Sequence, residues 1–327
     1  MKALVTGAGG FLGGAITRQL LRRGAAVRGL ARSAYPEMTR LGVDMRKVDI
    51  ADRGAVLHAA EGCDLVFHVA AKAGVWGSRE SYYLPNVVGT QNVIEACRRH
   101  GIKRLVYTST PSVTFDGRDE EGVDESAPYA GQFLCHYAET KAEAEKRVLA
   151  ANNRDLATVA LRPHLIWGPG DNHLVPRIWE RGRAGRLRLI DGGKRKVDSV
   201  YIDNAVDAHL LAANKLAPGA ACAGKAYFIS NGEPLPVGEL INRILAAAGI
   251  PPVTRSVSAR TAYVAGAVME FVFRLLRRRD EPIMTRFVAR QLSTAHWFDI
   301  SAARRDFGYK PRVSMAQGLK RLKPSKS

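Results

Sequence analysis

Tyr137 and Lys141 stand four residues apart in the stretch YAETK, within a segment of ordinary helical composition. On a helix that spacing puts both side chains on one face, within reach of a shared ligand. A phenol holds its proton up to about pH 10, and a neighbouring ammonium organises its release and lowers that value. The pair therefore suits proton transfer to a carbonyl as hydride arrives from a nicotinamide, with Tyr137 as donor and Lys141 bound to the ribose. YxxxK alone is common, so its meaning depends on whether a dinucleotide site accompanies it.

Such a site is legible upstream. TGAGGFLG sets Gly7, Gly10 and Gly13 between a β-prone run, KALVT, and a helical pattern, FLGGAITRQLLRRG. Small residues let the backbone approach a pyrophosphate, and free N–H groups at the helix start, here at Phe11 and Leu12, receive its charge. A glycine triplet also makes plain turns, but the strand before it and the helix after it favour the cradle. The next strand ends in GLARS, with Arg32 where NAD sites often place an acid for the adenosine ribose. A guanidinium meets an added 2′-phosphate and a carboxylate repels it, so NADP(H) is the expected cofactor. A solvated strand end is the competing role for Arg32. Asp49, in VDI, is expected near the adenine, with a loop cap as its alternative.

A third group should polarise the substrate oxygen. YTSTPSV closes a strand pattern, and Thr110 is the preferred hydroxyl, with Ser109 and Ser112 as alternatives; each could instead cap backbone groups. Lys72, Arg79 and His164 are candidate contacts for a substrate carboxylate, and Trp76, Tyr82, Tyr83 and Trp167 for an apolar channel. Solvated charge or ordinary packing is the alternative for each. Cys135 lacks a matched base and reads as packing.

The elements that must carry these residues alternate. Strand patterns at 2–6, 25–32, 48–50, 64–70, 104–110 and 156–162 are separated by helical ones, among them 82–100 and 133–152. This predicts an α/β fold, a doubly wound and mostly parallel sheet covered on both faces. Residues 1–167 form mainly the nucleotide-binding domain. Residues 168–327 form mainly a smaller substrate-facing portion, interleaved with the first because some later segments return to the sheet.

The apolar stretch 261–279 raises a membrane question. Glu270 interrupts it, and a spanning helix needs about 20 mostly apolar residues. Glu270 and Arg274 are expected to pair on a polar face of a packed or partner-facing amphipathic helix, with peripheral membrane contact as the alternative. Residues 320–327, KRLKPSKS, read as a mobile basic tail.

The formal charge of +18, from 49 Lys and Arg against 31 Asp and Glu, favours anionic ligands. It is dispersed, and no nucleic-acid motif accompanies it, so no specific nucleic acid is expected. Four scattered cysteines without metal-type spacing predict reduced thiols and no metal. MKALVTG runs straight into the glycine turn without a signal-peptide pattern, and the expectation is a cytoplasmic protein.

TGAGGFLG, HVAAKAG, NVVGTQNV, YTSTPSV, YAETK and LRPHLIWGPGD, followed by VYIDNAVDAHLLA, resemble in order the pattern of the extended short-chain dehydrogenase/reductases, in the branch of the 3β-hydroxysteroid dehydrogenases. The resemblance implies a Rossmann fold, with Tyr137 as general acid/base, Lys141 on the ribose and Asn86 as a structural and relay residue. It also implies Ala70 and Ala71 beside the cofactor and Pro163 to Leu165 near the nicotinamide. The family's usual serine is Thr110 here. HVAAKAGVWGS, STPSVTFDGRDEEG and ALRPHLIWGPGDNHL resemble more narrowly the bacterial 2-alkyl-3-oxoalkanoate reductases of long-chain olefin biosynthesis. That likeness implies a long-chain 2-alkyl-3-oxo acid reduced by NADPH, a homodimer, and assembly with a β-lactone synthetase and a β-lactone decarboxylase. A 3β-hydroxysteroid or sterol-carboxylate dehydrogenase and a non-catalytic NADP(H)-binding regulator are the alternatives.

Overall fold

Six short runs with apolar centres and one polar run, DMRK, become the strands of one sheet in the computed structural model, which describes residues 1–278 and 280–323. They are β1 (Lys2–Thr6), β2 (Ala26–Ala31), β3 (Asp44–Lys47), β4 (Leu65–His68), β5 (Arg104–Thr108), β6 (Ala157–Pro163) and β7 (Lys225–Ile229). Their order is 7-6-5-4-1-2-3, and every pairing is parallel. Alternate residues of β1 serve different cores: Ala3 and Val5 face one layer and Leu4 the other, all fully buried. A strand buried on both faces reads as a continuous apolar run, as the central strands do, while the edge strand β3 is polar and partly exposed.

The chain winds outward in both directions from β1, toward β2 on one side and β4 on the other. The crevice beyond the carboxyl ends of these two strands is where such a sheet receives a ligand. It brings TGAGGFLG, after β1, beside HVAAKAG, after β4. Thr6 stitches the two: its Oγ1 accepts the Val69 and Ala70 amides, each at 3.0 Å.

The third strand lies earlier than the sequence predicts. Arg28 on β2 holds Asp44 at 2.8 Å, which starts the pairing there and ends it at Lys47. Val48–Ile50 instead turns away, because Asp49 accepts the Ala51 amide through its carboxylate and the Asp52 amide through its carbonyl. The predicted helix 82–100 is interrupted as well. Arg79–Tyr83 is α-helical, Leu84–Val88 is a π turn, and α-helix resumes at Gly89–Arg99. Pro85 has no N–H for the regular ladder, and single π turns of this kind often mark functional sites. Asn86 lies inside it.

From the second half, β7 joins the edge of the main sheet. A smaller sheet runs in the order Leu235–Pro236, Lys196–Val197, His296–Phe298 and Glu120–Val123.

The apolar segment forms the helix Ala259–Leu275, facing opposite to expectation. Glu270 is buried, where it accepts the Arg286 amide at 2.7 Å and the Arg286 Nε at 2.9 Å; the expected ion pair with Arg274 is present at 3.8 Å, but not on a polar face. The exposed face is apolar: Val264, Val268, Phe271, Val272 and Leu275 follow helical spacing, and Leu276 continues them. Arg279, the end of the predicted amphipathic segment, lies outside the described residues. So do residues 324–327 of the predicted tail, while Lys320 and Arg321 belong to the helix Met315–Arg321.

This orientation sets adjacent residues apart. Glu270→Ala should lower unfolding stability by about 1–3 kcal/mol by stranding the Arg286 groups. Phe271→Ser should change it by less than about 0.5 kcal/mol, as exposed substitutions do. Urea unfolding of the two variants checks this, and the reverse ranking would refute the orientation.

Candidate active site

The glycine turn is shaped by contacts that exclude side chains. Gly7 has φ +70°, and a Cβ there would sit 3.1 Å from the Ala70 backbone; one on Gly13 would sit 2.2 Å from the Gly7 carbonyl oxygen. The helix Phe11–Arg22 is thereby drawn against the end of β1. Its first turn holds no acid, its N-cap Gly10 offers no side chain, and the first helical bond runs from the Gly14 amide to Gly10. The amides of Phe11, Leu12 and Gly13 precede that bond and point their positive end at the crevice. Gly9 has no part in the sequence reading, yet a Cβ there would fall 2.3 Å from the Tyr35 ring, which closes over the turn. A dinucleotide pyrophosphate fits this cradle.

Arg32 is exposed just past β2, and among the described residues no carboxylate pairs with it. It lies near enough to Lys72 to lower that ammonium's pKa, second to the effect of burial. Asp49 is exposed at the crevice side of the sheet, with one carboxylate oxygen committed to its own turn.

Tyr137 and Lys141 both lie on the helix His136–Ala150. Tyr137 is half-buried, and burial pushes its phenol up to about 12, opposed by the Thr110 hydroxyl and reinforced by the Cys135 thiol. The structure thus brings Thr110 to Tyr137. Thr110 caps the short helical turn Pro111–Val113, accepting the Ser112 amide at 3.3 Å and donating to the Ser112 hydroxyl at 3.2 Å. Ser109 is buried alongside, and its hydroxyl has no partner among the described residues.

Lys141 is only 2% exposed. Its Nζ donates to the Thr108 carbonyl at 2.6 Å and stands 4.1 Å above the centre of the Tyr107 ring. Burial depresses its pKa to about 7, with Glu145 one turn later acting to raise it. Glu145 is wholly buried, paired with Arg162 at 2.6 Å and receiving the Tyr129 hydroxyl at 2.8 Å.

Asn86 is a clamp. Its Oδ1 accepts the Lys72 amide at 2.7 Å, while its Nδ2 donates to the Lys72 carbonyl at 3.2 Å and to Thr140 Oγ1 at 3.0 Å. Thr140 precedes Lys141, so the loop after β4 is tied directly to the helix that bears Tyr137 and Lys141. Thr6 and Thr140, neither expected from the sequence, carry these ties.

The substrate candidates separate into two groups. Lys72 is half-buried, donating to Ser81 Oγ at 2.6 Å and lying 4.4 Å over the Tyr82 ring. Trp76 is half-buried and donates to the Arg278 carbonyl at 3.2 Å. It borders a cavity of about 670 Å³ shared with Phe133, Cys135, Phe273 and Phe287, beside the start of the helix that bears Tyr137. His164 and Trp167 must be reassigned. His164 is buried, with Nδ1 2.7 Å from Asp198 and its ring edge-on to Phe298, which leaves it no access to a substrate carboxylate. Trp167 is fully buried, donating to Ser199 Oγ at 3.0 Å and packed against Tyr201, so it belongs to the core and lines no channel. Arg79 is paired with Glu139 at 2.8 Å. Pro163 closes β6, and Leu165 takes φ +42°, a left-handed conformation uncommon for a side chain with a branched body, at the turn beside the crevice.

Comparison with known proteins agrees with this arrangement. The chain is 60% identical over 328 residues to a 2-alkyl-3-oxoalkanoate reductase of Stenotrophomonas maltophilia (strain K279a), covering 99% of each. It is 56% identical over 331 residues to the protein of that name from Shewanella oneidensis, covering 99% of this chain and 86% of the relative. Among solved structures, a UDP-glucose 4-epimerase of Thermus thermophilus in complex with NAD superposes with a TM-score of 0.73 at 25% identity, over 98% of this chain and 97% of that one. Cradle, YxxxK pair and relatives together make the protein an oxidoreductase that uses NAD(P)(H). The profile of one family matches residues 4–257, and the chain belongs to it: the 3-beta hydroxysteroid dehydrogenase/isomerase family.

Proposed function

We propose that this protein reduces the 3-keto group of 2-alkyl-3-oxoalkanoic acids to the 3-hydroxy acids with NADPH. The observation that carries the reading is the convergence of Tyr137, Thr110 and Lys141 beside the glycine cradle. The reductases at 60% and 56% identity supply the substrate class. Bound NADPH supplies the hydride that reaches C3. Tyr137, protonated at neutral pH, hydrogen-bonds the ketone oxygen and transfers its proton as negative charge develops there. Thr110, its single O–H turned from Ser112 to the substrate, donates a second hydrogen bond to that oxygen. Lys141, fixed by the Thr108 carbonyl, holds the ribose and stabilises the tyrosinate left behind. Arg32 takes the 2′-phosphate, Asp49 lies near the adenine, and Ala70, Ala71, Pro163 and Leu165 border the cofactor. Trp76 and Ser112 border the substrate, and residues 168–327 contribute mainly to its side of the site. Oxidation of a 3β-hydroxysteroid would use the same catalytic residues, with Tyr137 accepting the proton.

No helix among the described residues is long and apolar enough to cross a membrane. The exposed stripe from Val264 to Leu276 supports the partner-facing reading of Ala259–Leu275. The β-lactone synthetase and β-lactone decarboxylase of the olefin route are its proposed partners, beside a homodimer formed elsewhere on a cytoplasmic protein.

Three outcomes test the mechanism. Tyr137→Phe should lower turnover of a long-chain 2-alkyl-3-oxo acid by about 10²–10⁴-fold, the usual worth of a positioned acid, while NADPH affinity by fluorescence titration stays within a few-fold; near-normal turnover would refute the assignment. Arg32→Ala should raise the KM for NADPH at least about tenfold, as loss of a charged phosphate contact does, with little change for NADH. Equal effects on both cofactors would remove the 2′-phosphate role. The pH profile reports Lys141: its depressed value means the ammonium is present below about 7 and lost above it, so kcat/KM for reduction should fall as pH rises through that value. A profile rising across the same interval would show that the charged form is not required.

A further inference from the structure

A 3-keto acid carries its own decomposition route. The C3 carbonyl is an electron sink for the C1–C2 bond. That bond can break, with its electron pair forming the enolate as CO2 leaves, and C2 then takes a proton from water to give a neutral ketone. Tyr137 and Thr110 polarise the C3 oxygen toward hydride, and the same polarisation favours this loss. Two conditions oppose it. A cation beside the carboxylate keeps negative charge there, and a fixed carboxylate keeps the C1–C2 bond out of alignment with the carbonyl π system.

Lys72 has the construction such an anchor needs. Its backbone is gripped at both the amide and the carbonyl by Asn86, which is itself tied to Thr140 on the catalytic helix. Its Nζ is located by Ser81 at 2.6 Å and by the face of Tyr82 at 4.4 Å. Tyr82 is fixed in turn by donating to the Trp76 carbonyl at 2.9 Å, and it lies close enough to Tyr137 for that phenol to add, after burial and its acidic neighbours, to the rise of Tyr82's own pKa. An ammonium has three donors, and Ser81 takes one. Among the described residues no carboxylate pairs with Lys72, whereas the neighbouring Arg79 is matched to Glu139 and Arg177 to Glu281. The other two sequence candidates for this contact are thereby spent, Arg79 in that ion pair and His164 on Asp198.

Resting on the keto-acid reading above, we propose that Lys72 anchors the substrate carboxylate and so partitions the keto acid toward reduction instead of loss of CO2. Asn86, Ser81 and Tyr82 are positioning residues for it.

The experiment compares wild type, Lys72→Met and Lys72→Arg on a 2-alkyl-3-oxo acid and on its methyl ester. It follows NADPH absorbance, the ratio of hydroxy acid to neutral ketone, and NADPH affinity. For Lys72→Met, kcat/KM on the acid should fall about 30-fold, as for a lost charge-assisted hydrogen bond, mainly through KM. The loss on the ester should be at least tenfold smaller, and the share of neutral ketone above the spontaneous background should rise. Lys72→Arg should recover part of both effects, and Lys72→Gln substitutes if the Met variant does not fold. Equal losses on acid and ester, or an unchanged product ratio, overturn the anchor while leaving the reductase reading intact. A fall in NADPH affinity that accounts for the whole effect assigns Lys72 to the cofactor and overturns it too. Wild type inactive on every keto acid overturns the reductase reading and the anchor together.

Discussion

The site depends on one buried run of hydrogen bonds that joins the ends of β1 and β4 to the π turn. Thr6 Oγ1 accepts two amides, so its proton goes to His68 Nδ1 at 2.8 Å. His68 Nε2 then donates to Thr90 Oγ1 at 2.9 Å, and Thr90 donates to the Asn86 carbonyl at 2.6 Å. The chain requires a neutral imidazole, and burial enforces it by pushing the His68 pKa down to about 3. Each member is fully buried or nearly so, and an orphaned group there costs about 1–3 kcal/mol. Cofactor cradle, crevice loop and Asn86 are therefore set by one another, and through Thr140 so is the helix bearing Tyr137 and Lys141.

Legibility follows the range of the interactions. The glycine turn, the strand and helix alternation and the YxxxK spacing are local, and the chain writes them within a few residues. Asn86 is visible through resemblance, but its grip on Lys72 and Thr140 spans 14 and 54 residues, and no local pattern announces it. His164 and Trp167 mislead for the same reason: Asp198 and Ser199, more than 30 residues on, claim their polar atoms. The helix Ala259–Leu275 is apolar on two faces, so periodicity could not say which face turns inward. Arg286, on the following helix, decides it by taking Glu270 inside. VDI has strand propensity, but Arg28 fixes the register of β3 on Asp44 and leaves VDI beyond the end of the pairing.

Charge in the crevice follows one logic. Arg32, Lys72 and Lys141 lie along it, and none of the three has a carboxylate in direct contact among the described residues. Their neighbours are a hydroxyl, a carbonyl and aromatic faces, which orient an ammonium without neutralising it. The nearest acid to Lys141, Glu145, is itself committed to Arg162 and Tyr129. Burial lowers both lysines' pKa values, and Arg32 adds repulsion at Lys72. A site arranged in this way is least stable with its cations unmet, because desolvated charge is costly until an opposite charge arrives. That cost falls on Lys72 and Lys141, which burial reaches, whereas Arg32 is exposed and acts on Lys72 through its charge alone. An anion set against Arg32 would lessen that repulsion and make the charged form of Lys72 easier to hold.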